Sequence, residues 1–171
     1  EEAEYMRYFY EFDPRLYDPS AWARAAKRAG MKYIILTAKH HDGFCLFDTA
    51  TTDFNSVKTK LGRDVVKDFT DAARAEGLYV GLYYSLIDWH HGDFPHYGDR
   101  QHPMRSRPDC TNENRNFDAY IDYMHAQVRE LCTNYGNIDI MWFDFSYDDM
   151  RGERWSASEL VNMVRTLRPG I

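Results

Sequence analysis

The residues best suited to chemistry lie in three short polar clusters. In "KHHDGF", His40 and His41 stand between Lys39 and Asp42. A neutral imidazole offers one donor and one acceptor, so two side by side can grip a polyhydroxylated ligand. In "SLIDWHHGDF", Asp88 is followed by Trp89, His90 and His91. In "WFDFSYDDM", Asp144 follows Trp142 at the end of an apolar run. A carboxylate there is costly to bury unless it is paired or used. Asp144 reads as a nucleophile or general base, the other reading being a cap on the following turn.

A metal centre is the rival interpretation of these clusters. His40, His41, Asp42, Asp88, His90 and His91 supply nitrogen and oxygen ligands. Against it, no H-x-H or HExxH spacing occurs, and adjacent histidines chelate one ion poorly. His90 and His91 read equally well as solvated loop residues.

The elements that must carry these clusters are legible from periodicity. Three nearly continuous apolar runs, 32–37, 78–86 and 138–145, are β-branched or aromatic, as expected of strands buried on both faces. Between them the pattern turns helical. Asp18 and Asp64 are candidate N-caps, and Gly30 and Gly77 candidate terminators. Phe117, Ile121, Met124, Val128, Leu131 and Tyr135 form one helical stripe, and Ser156 with Glu159 has capping-box spacing.

This alternation predicts a parallel α/β sheet with right-handed crossovers, and all three clusters fall at carboxyl ends of strands. No GxGxxG or GxxxxGK[ST] follows any strand, which favours a (β/α)8 TIM-like barrel over a nucleotide-binding sheet. A barrel takes about 250 residues. The 171 residues are therefore expected to be one partial catalytic barrel domain of about three βα units, with N- and C-terminal strands missing. The stretch from Trp89 to Asn116 is too long for an ordinary connection and is expected to be a functional βα loop.

Strand parity orients the side chains. Leu78, Val80 and Leu82 form an aliphatic face for helices, so Tyr83 and Ser85 face the interior and Tyr84 packs outside. Ile140, Trp142 and Asp144 share one side of the third strand. His40 and His41 both reach the interior only if the first strand ends there and turns at Asp42 and Gly43.

Composition sets outer bounds. The chain is 44% hydrophobic and 28% charged, with net charge −6 and no basic block, which argues against a nucleic-acid or anionic-membrane partner. No apolar run approaches the roughly 20 residues of a membrane span. Cys45, Cys110 and Cys132 form no disulfide framework or zinc knuckle by spacing. The opening "EEAEYMRYF" is not a signal peptide, and compartment is unassigned. Oligomeric state is likewise open.

"KYIILTAKHHDGFCLFDT", "GLYVGLYYSLIDWH" and "NYGNIDIMWFDF" resemble the α-L-fucosidases of glycoside hydrolase family 29, from about Phe12 to Arg168. The resemblance implies a barrel-like catalytic domain that removes terminal α-L-fucose from glycoconjugates or oligosaccharides with retention, without metal or cofactor. It makes Asp144 the nucleophile and His40 and His41 contacts to sugar hydroxyls. Its YYS tyrosine maps onto Tyr83 or Tyr84, and parity selects Tyr83. Trp142, Trp89 and Phe44 are further candidates for the sugar pocket. The family's WFDG pattern is broken by Phe145, expected to reshape the leaving-group side without removing the nucleophile. The general acid/base is expected beyond Ile171; Asp148, Asp149, Glu153 and Glu159 are given no such role. A non-catalytic carbohydrate-binding relative is the alternative, and an isolated piece of barrel need not be active even where the whole protein is an enzyme.

Overall fold

The computed structural model describes residues 2–95, 102–146 and 149–171. A helix α1 (Glu2–Glu11) leads into α2 (Pro19–Arg28), β1 (Tyr33–Lys39), α3 (Val65–Ala75), β2 (Tyr79–Ser85), α4 (Phe117–Asn134), β3 (Ile140–Asp144) and α5 (Ala157–Leu167). The three strands form one parallel sheet in the order β1-β2-β3.

Helix starts follow from local chemistry. Asp18 accepts from the Ala21 N–H at 2.9 Å, and Pro19 opens α2 where its missing donor costs nothing. Asp64 accepts from Lys67 N–H at 2.8 Å to start α3, and Asn116 does the same for α4 through Ala119. Gly30 and Gly77, at φ +80° and +66°, close the two helices before β1 and β2. The capping box expected at Ser156 does not form. Ser156 is left-handed, at φ 48°, and its side chain makes no cap hydrogen bond; Glu153 accepts from Ser158 N–H instead.

One face of the sheet is sealed by helices. Val80, Leu82 and Tyr84 are fully buried there, against Met124, Val128 and Leu131 of α4. Tyr84 donates to Gln127 at 2.7 Å, so a polar pair sits inside this core with both groups satisfied. The opposite face carries Tyr33, Tyr79, Tyr83 and Trp142, and Tyr33, Tyr79 and Trp142 are more than half exposed. Gly81 lies on that face between Ile35 and Ile140; a Cβ there would approach Ile35 Cγ1 to 2.6 Å. Its missing side chain lets the strands stay close.

The described parts of 89–116 hold turns but neither helix nor strand, and residues 96–101 lie outside the described residues. No helix among the described residues is long and apolar enough to cross a membrane.

Asp64 does more than cap. Its Oδ2 also accepts from Asp48 N–H at 3.0 Å and Tyr135 Oη at 2.7 Å. Asp64→Ala is therefore expected to cost about 2–3 kcal/mol, against about 1 kcal/mol for Asp18→Ala. Chemical denaturation of the full-length protein compares the two.

Candidate active site

The site begins where β1 loses its regular pairing. Thr37 pairs with Tyr83, but Lys39 pairs with Tyr84, a bulge that uses up Ala38. The extra residue rotates Lys39 onto the helix-covered face, where its Nζ lies over the Tyr84 ring at 4.7 Å. The strand ends at Lys39, two residues past the apolar run 32–37. A turn then closes through Gly43 N–H to His40 O at 3.1 Å. Both imidazoles thereby come to one end of the sheet, with ring centroids 3.6 Å apart.

Lys39 is wholly buried and forms an ion pair with Asp88 at 3.2 Å; its Nζ also donates to Ile87 O at 3.1 Å. Asp88 Oδ1 accepts from the His90 and His91 N–H groups at 3.0 and 2.9 Å. Trp89 N–H donates to His41 O at 2.7 Å. The end of β1 and the loop after β2 are thus tied side chain to backbone. Gly43 completes the closure: at φ +79°, a Cβ on it would stand 2.4 Å from Asp88 Oδ1.

Asp144 ends β3 opposite Ser85. Tyr83 Oη donates to its Oδ2 at 2.7 Å, and the N–H of Phe145 donates to its Oδ1 at 2.7 Å. Each oxygen is therefore oriented, and lone pairs remain for a ligand. Burial, and then the Asp144 carboxylate, push the Tyr83 phenol well above its ordinary value, so it stays a donor. His40 stacks on Tyr83 with centroids 5.9 Å apart and planes 18° from parallel. His41 Nδ1 is 2.8 Å from Ser85 Oγ. Burial, reinforced by His40, lowers the His41 imidazole to about 4, so it is neutral at ordinary pH.

The structure thus brings Asp144, Tyr83, His40 and His41 together. Trp142 joins through its edge contact with Tyr83 at 5.7 Å, and Trp89 through His41 at 5.2 Å. Phe44 does not join them. It packs with Phe9, Phe12 and Phe54 in an aromatic cluster under α1, whose Tyr5 hydroxyl donates to Asp42. His90 stacks on Phe54 at 4.2 Å yet stays exposed, as a loop residue would, while the half-buried His91 ring lies tilted against Tyr123 at 4.2 Å. Of the candidate metal ligands, Asp88 pairs with Lys39 and Asp42 accepts from Tyr5. Among the described residues no three His, Cys, Asp or Glu groups are placed to hold an ion.

Of the later acids, Asp149, Glu153 and Glu159 are exposed and Asp148 lies outside the described residues. Two residues escaped sequence reasoning. Ser85 was recognised only as inward-facing, and its contact to His41 depends on the bulge. Phe145 adopts φ +70°, where glycine is ordinarily found, and its ring meets His41 edge-on at 4.0 Å. The break in WFDG was its only signal.

The sequence profile of the alpha-L-fucosidase family matches residues 1–171. The chain belongs to that family. Alpha-L-fucosidase isoenzyme 1 from Paenibacillus thiaminolyticus is 60% identical and superposes with TM-score 0.96 over 98% of this chain and 40% of its own. The alpha-L-fucosidase AlfC from Lactobacillus casei, solved in complex with alpha-L-fucose product, is 30% identical with TM-score 0.85, over 99% of this chain and 54% of its own. The alpha-L-fucosidase of Dictyostelium discoideum is 29% identical over 164 residues, 95% of this chain and 33% of that protein. The chain thus spans about a third of this curated alpha-L-fucosidase.

Two outcomes follow for the full-length fucosidase-family protein. Lys39→Met leaves Asp88 buried without its cation and is expected to cost about 3–5 kcal/mol in chemical denaturation. His41, at about 4 when folded against 6.5 ordinarily, takes up its proton more readily when unfolded. Its contribution is therefore complete above pH 6.5 and falls away as pH drops towards about 4. His41→Gln should flatten the stability profile across that window.

Proposed function

We propose that the full-length protein is a retaining glycosidase that removes terminal α-L-fucose from glycoconjugates or oligosaccharides. The observation that carries this reading is the convergence at Asp144. Its two oxygens are oriented by Tyr83 Oη and Phe145 N–H, and the imidazole pair lies beside that tyrosine. Membership of the alpha-L-fucosidase family and the AlfC structure holding alpha-L-fucose support the choice of sugar.

In this mechanism Asp144 attacks the anomeric carbon as the glycosidic bond breaks, and the acid/base protonates the departing aglycone oxygen. Water, deprotonated by the same group, then cleaves the covalent glycosyl-enzyme, releasing fucose and freeing Asp144. The Tyr83 hydroxyl and Phe145 N–H hold the carboxylate so that it approaches in one orientation, a gain paid during folding rather than during reaction. His40, His41, Tyr83, Trp142 and Trp89 bind the sugar, the imidazoles through ring hydroxyls and the indoles through its apolar edges. Retention requires a second carboxyl group about 5–5.5 Å from the nucleophile. We assign that acid/base to a part of the full-length protein other than these 171 residues.

We further propose that β1 to β3 are consecutive strands of a (β/α)8 barrel, with the face bearing Tyr33, Tyr79, Tyr83 and Trp142 as its interior. The exposure of large aromatics on that face, opposite a face sealed by helices, supports the assignment. The substrate class is a fucosylated glycan, and neither nucleic acid nor membrane is a partner in this reading.

Asp144→Ala in the full-length protein should lower kcat/KM for an aryl α-L-fucoside by about a thousandfold or more, the scale of losing a covalent nucleophile. Added azide should restore turnover and yield a fucosyl azide. Retention of most activity by Asp144→Ala would reject the nucleophile. Undiminished binding of L-fucose by a wild-type protein that never cleaves the fucoside would favour a carbohydrate-binding relative.

A further inference from the structure

Ser85 Oγ makes two contacts: 2.8 Å to His41 Nδ1 and 3.0 Å to the main-chain oxygen of Ile87. Ser85 is wholly buried and His41 is 8% exposed. A carbonyl oxygen only accepts, and a hydroxyl has a single proton. With that proton directed to Ile87 O, Ser85 Oγ can only accept from His41, so Nδ1 must carry hydrogen. The reverse arrangement would set the oxygen lone pairs of Ser85 and Ile87 against each other at 3.0 Å.

We propose that Ser85 is a positioning residue that fixes His41 as its Nδ1–H tautomer, so that Nε2 is a bare acceptor for one hydroxyl of the bound sugar. The imidazole remains neutral down to about pH 4, so protonation does not erase the distinction. The groups around it are accounted for. His40 lies against the ring at 3.6 Å, Phe145 at 4.0 Å and Trp89 at 5.2 Å, while the charges of Asp144, Lys39 and Asp42 act on it from nearby. Among the described residues none hydrogen-bonds Nε2.

A consequence for recognition follows. An acceptor at Nε2 demands a donor, and a sugar hydroxyl supplies one, whereas an ether or fluorine at the same carbon does not. The Nε2–H tautomer would tolerate either. Ser85 therefore sets the polarity of one contact without touching the ligand, in the way outer groups orient ligating histidines elsewhere.

The tautomer assignment stands on geometry alone; only its last step, the contact to sugar, rests on the reading of the site as fucose-binding. Histidine-specific 15N labelling of the full-length protein tests both, with His41 identified by the signals lost in His41→Gln. Long-range proton–nitrogen correlation at neutral pH should show Nδ1 protonated and Nε2 bare. The converse pattern overturns the proposal. Ser85→Ala should shift His41 towards the Nε2–H form and lower kcat/KM for an aryl α-L-fucoside about tenfold, the scale of one hydrogen bond. An unchanged tautomer in a folded Ser85→Ala variant also overturns it, and the wild-type spectrum decides if that variant does not fold. Saturating L-fucose should then move the Nε2 resonance and leave Nδ1 in place. Movement of neither nitrogen, in a sample whose other resonances report binding, overturns the acceptor role. Failure of wild-type protein to turn over the fucoside, with Nδ1–H intact, sinks the functional reading and leaves the tautomer standing.

Discussion

Everything at the carboxyl end of this sheet hangs on one buried ion pair. Lys39 and Asp88 are both sealed from solvent, and each spends its remaining capacity on backbone. Such a pair contributes little net stability, because desolvation offsets most of the Coulombic attraction. What it contributes is registry. A lysine that must meet Asp88 cannot stay in regular alternation, and the bulge at Ala38 is the backbone's answer. That half-turn releases the next two side chains, His40 and His41, from the rule that neighbours point to opposite faces.

The two faces of β2 show the same economy in miniature. Tyr83 and Tyr84 are adjacent, and each hydroxyl donates at 2.7 Å, one to Asp144 and the other to Gln127. Tyr84 is sealed among α4 side chains and secures the helix to the sheet. Tyr83, half-buried, faces the other way and orients a carboxylate. Chemically identical groups thus serve packing and site according to strand parity alone. The buried glutamine that receives Tyr84 also reaches Thr51 and Tyr123 at 2.8 Å each, joining the loop after β1 to the same core.

Much of this was legible in the residues. Buried parallel strands announce themselves as continuous apolar runs, and the caps Asp18 and Asp64 lie where Asp-Pro and Arg-Asp precede helical patterns. Parity separated Tyr83 from Tyr84 because β2 is regular throughout. Legibility failed where the backbone leaves its ideal path. Ser156 looked like a cap but takes a left-handed conformation, and Glu153 does its work from further back. Phe44 reads as a wall of the site, yet Phe9 of α1 and Phe12 just beyond it receive the ring, and no local pattern foretells which helix will cross a loop. Ser85 could not be matched to His41 without the bulge, which has no residue signature of its own.

Phe145 occupies left-handed backbone space, a conformation that costs a side-chain-bearing residue roughly 1–2 kcal/mol. That same conformation aims its amide at Asp144 while its ring braces His41. A carboxylate ending one strand and an imidazole in the turn after another are thereby fastened to a single residue. Local discomfort is exchanged for mutual alignment, so neither group can drift without disturbing the other. Glycine would relieve the tension but supply no ring, and the two sides of the cleft would be left joined through Tyr83 and Ser85 alone.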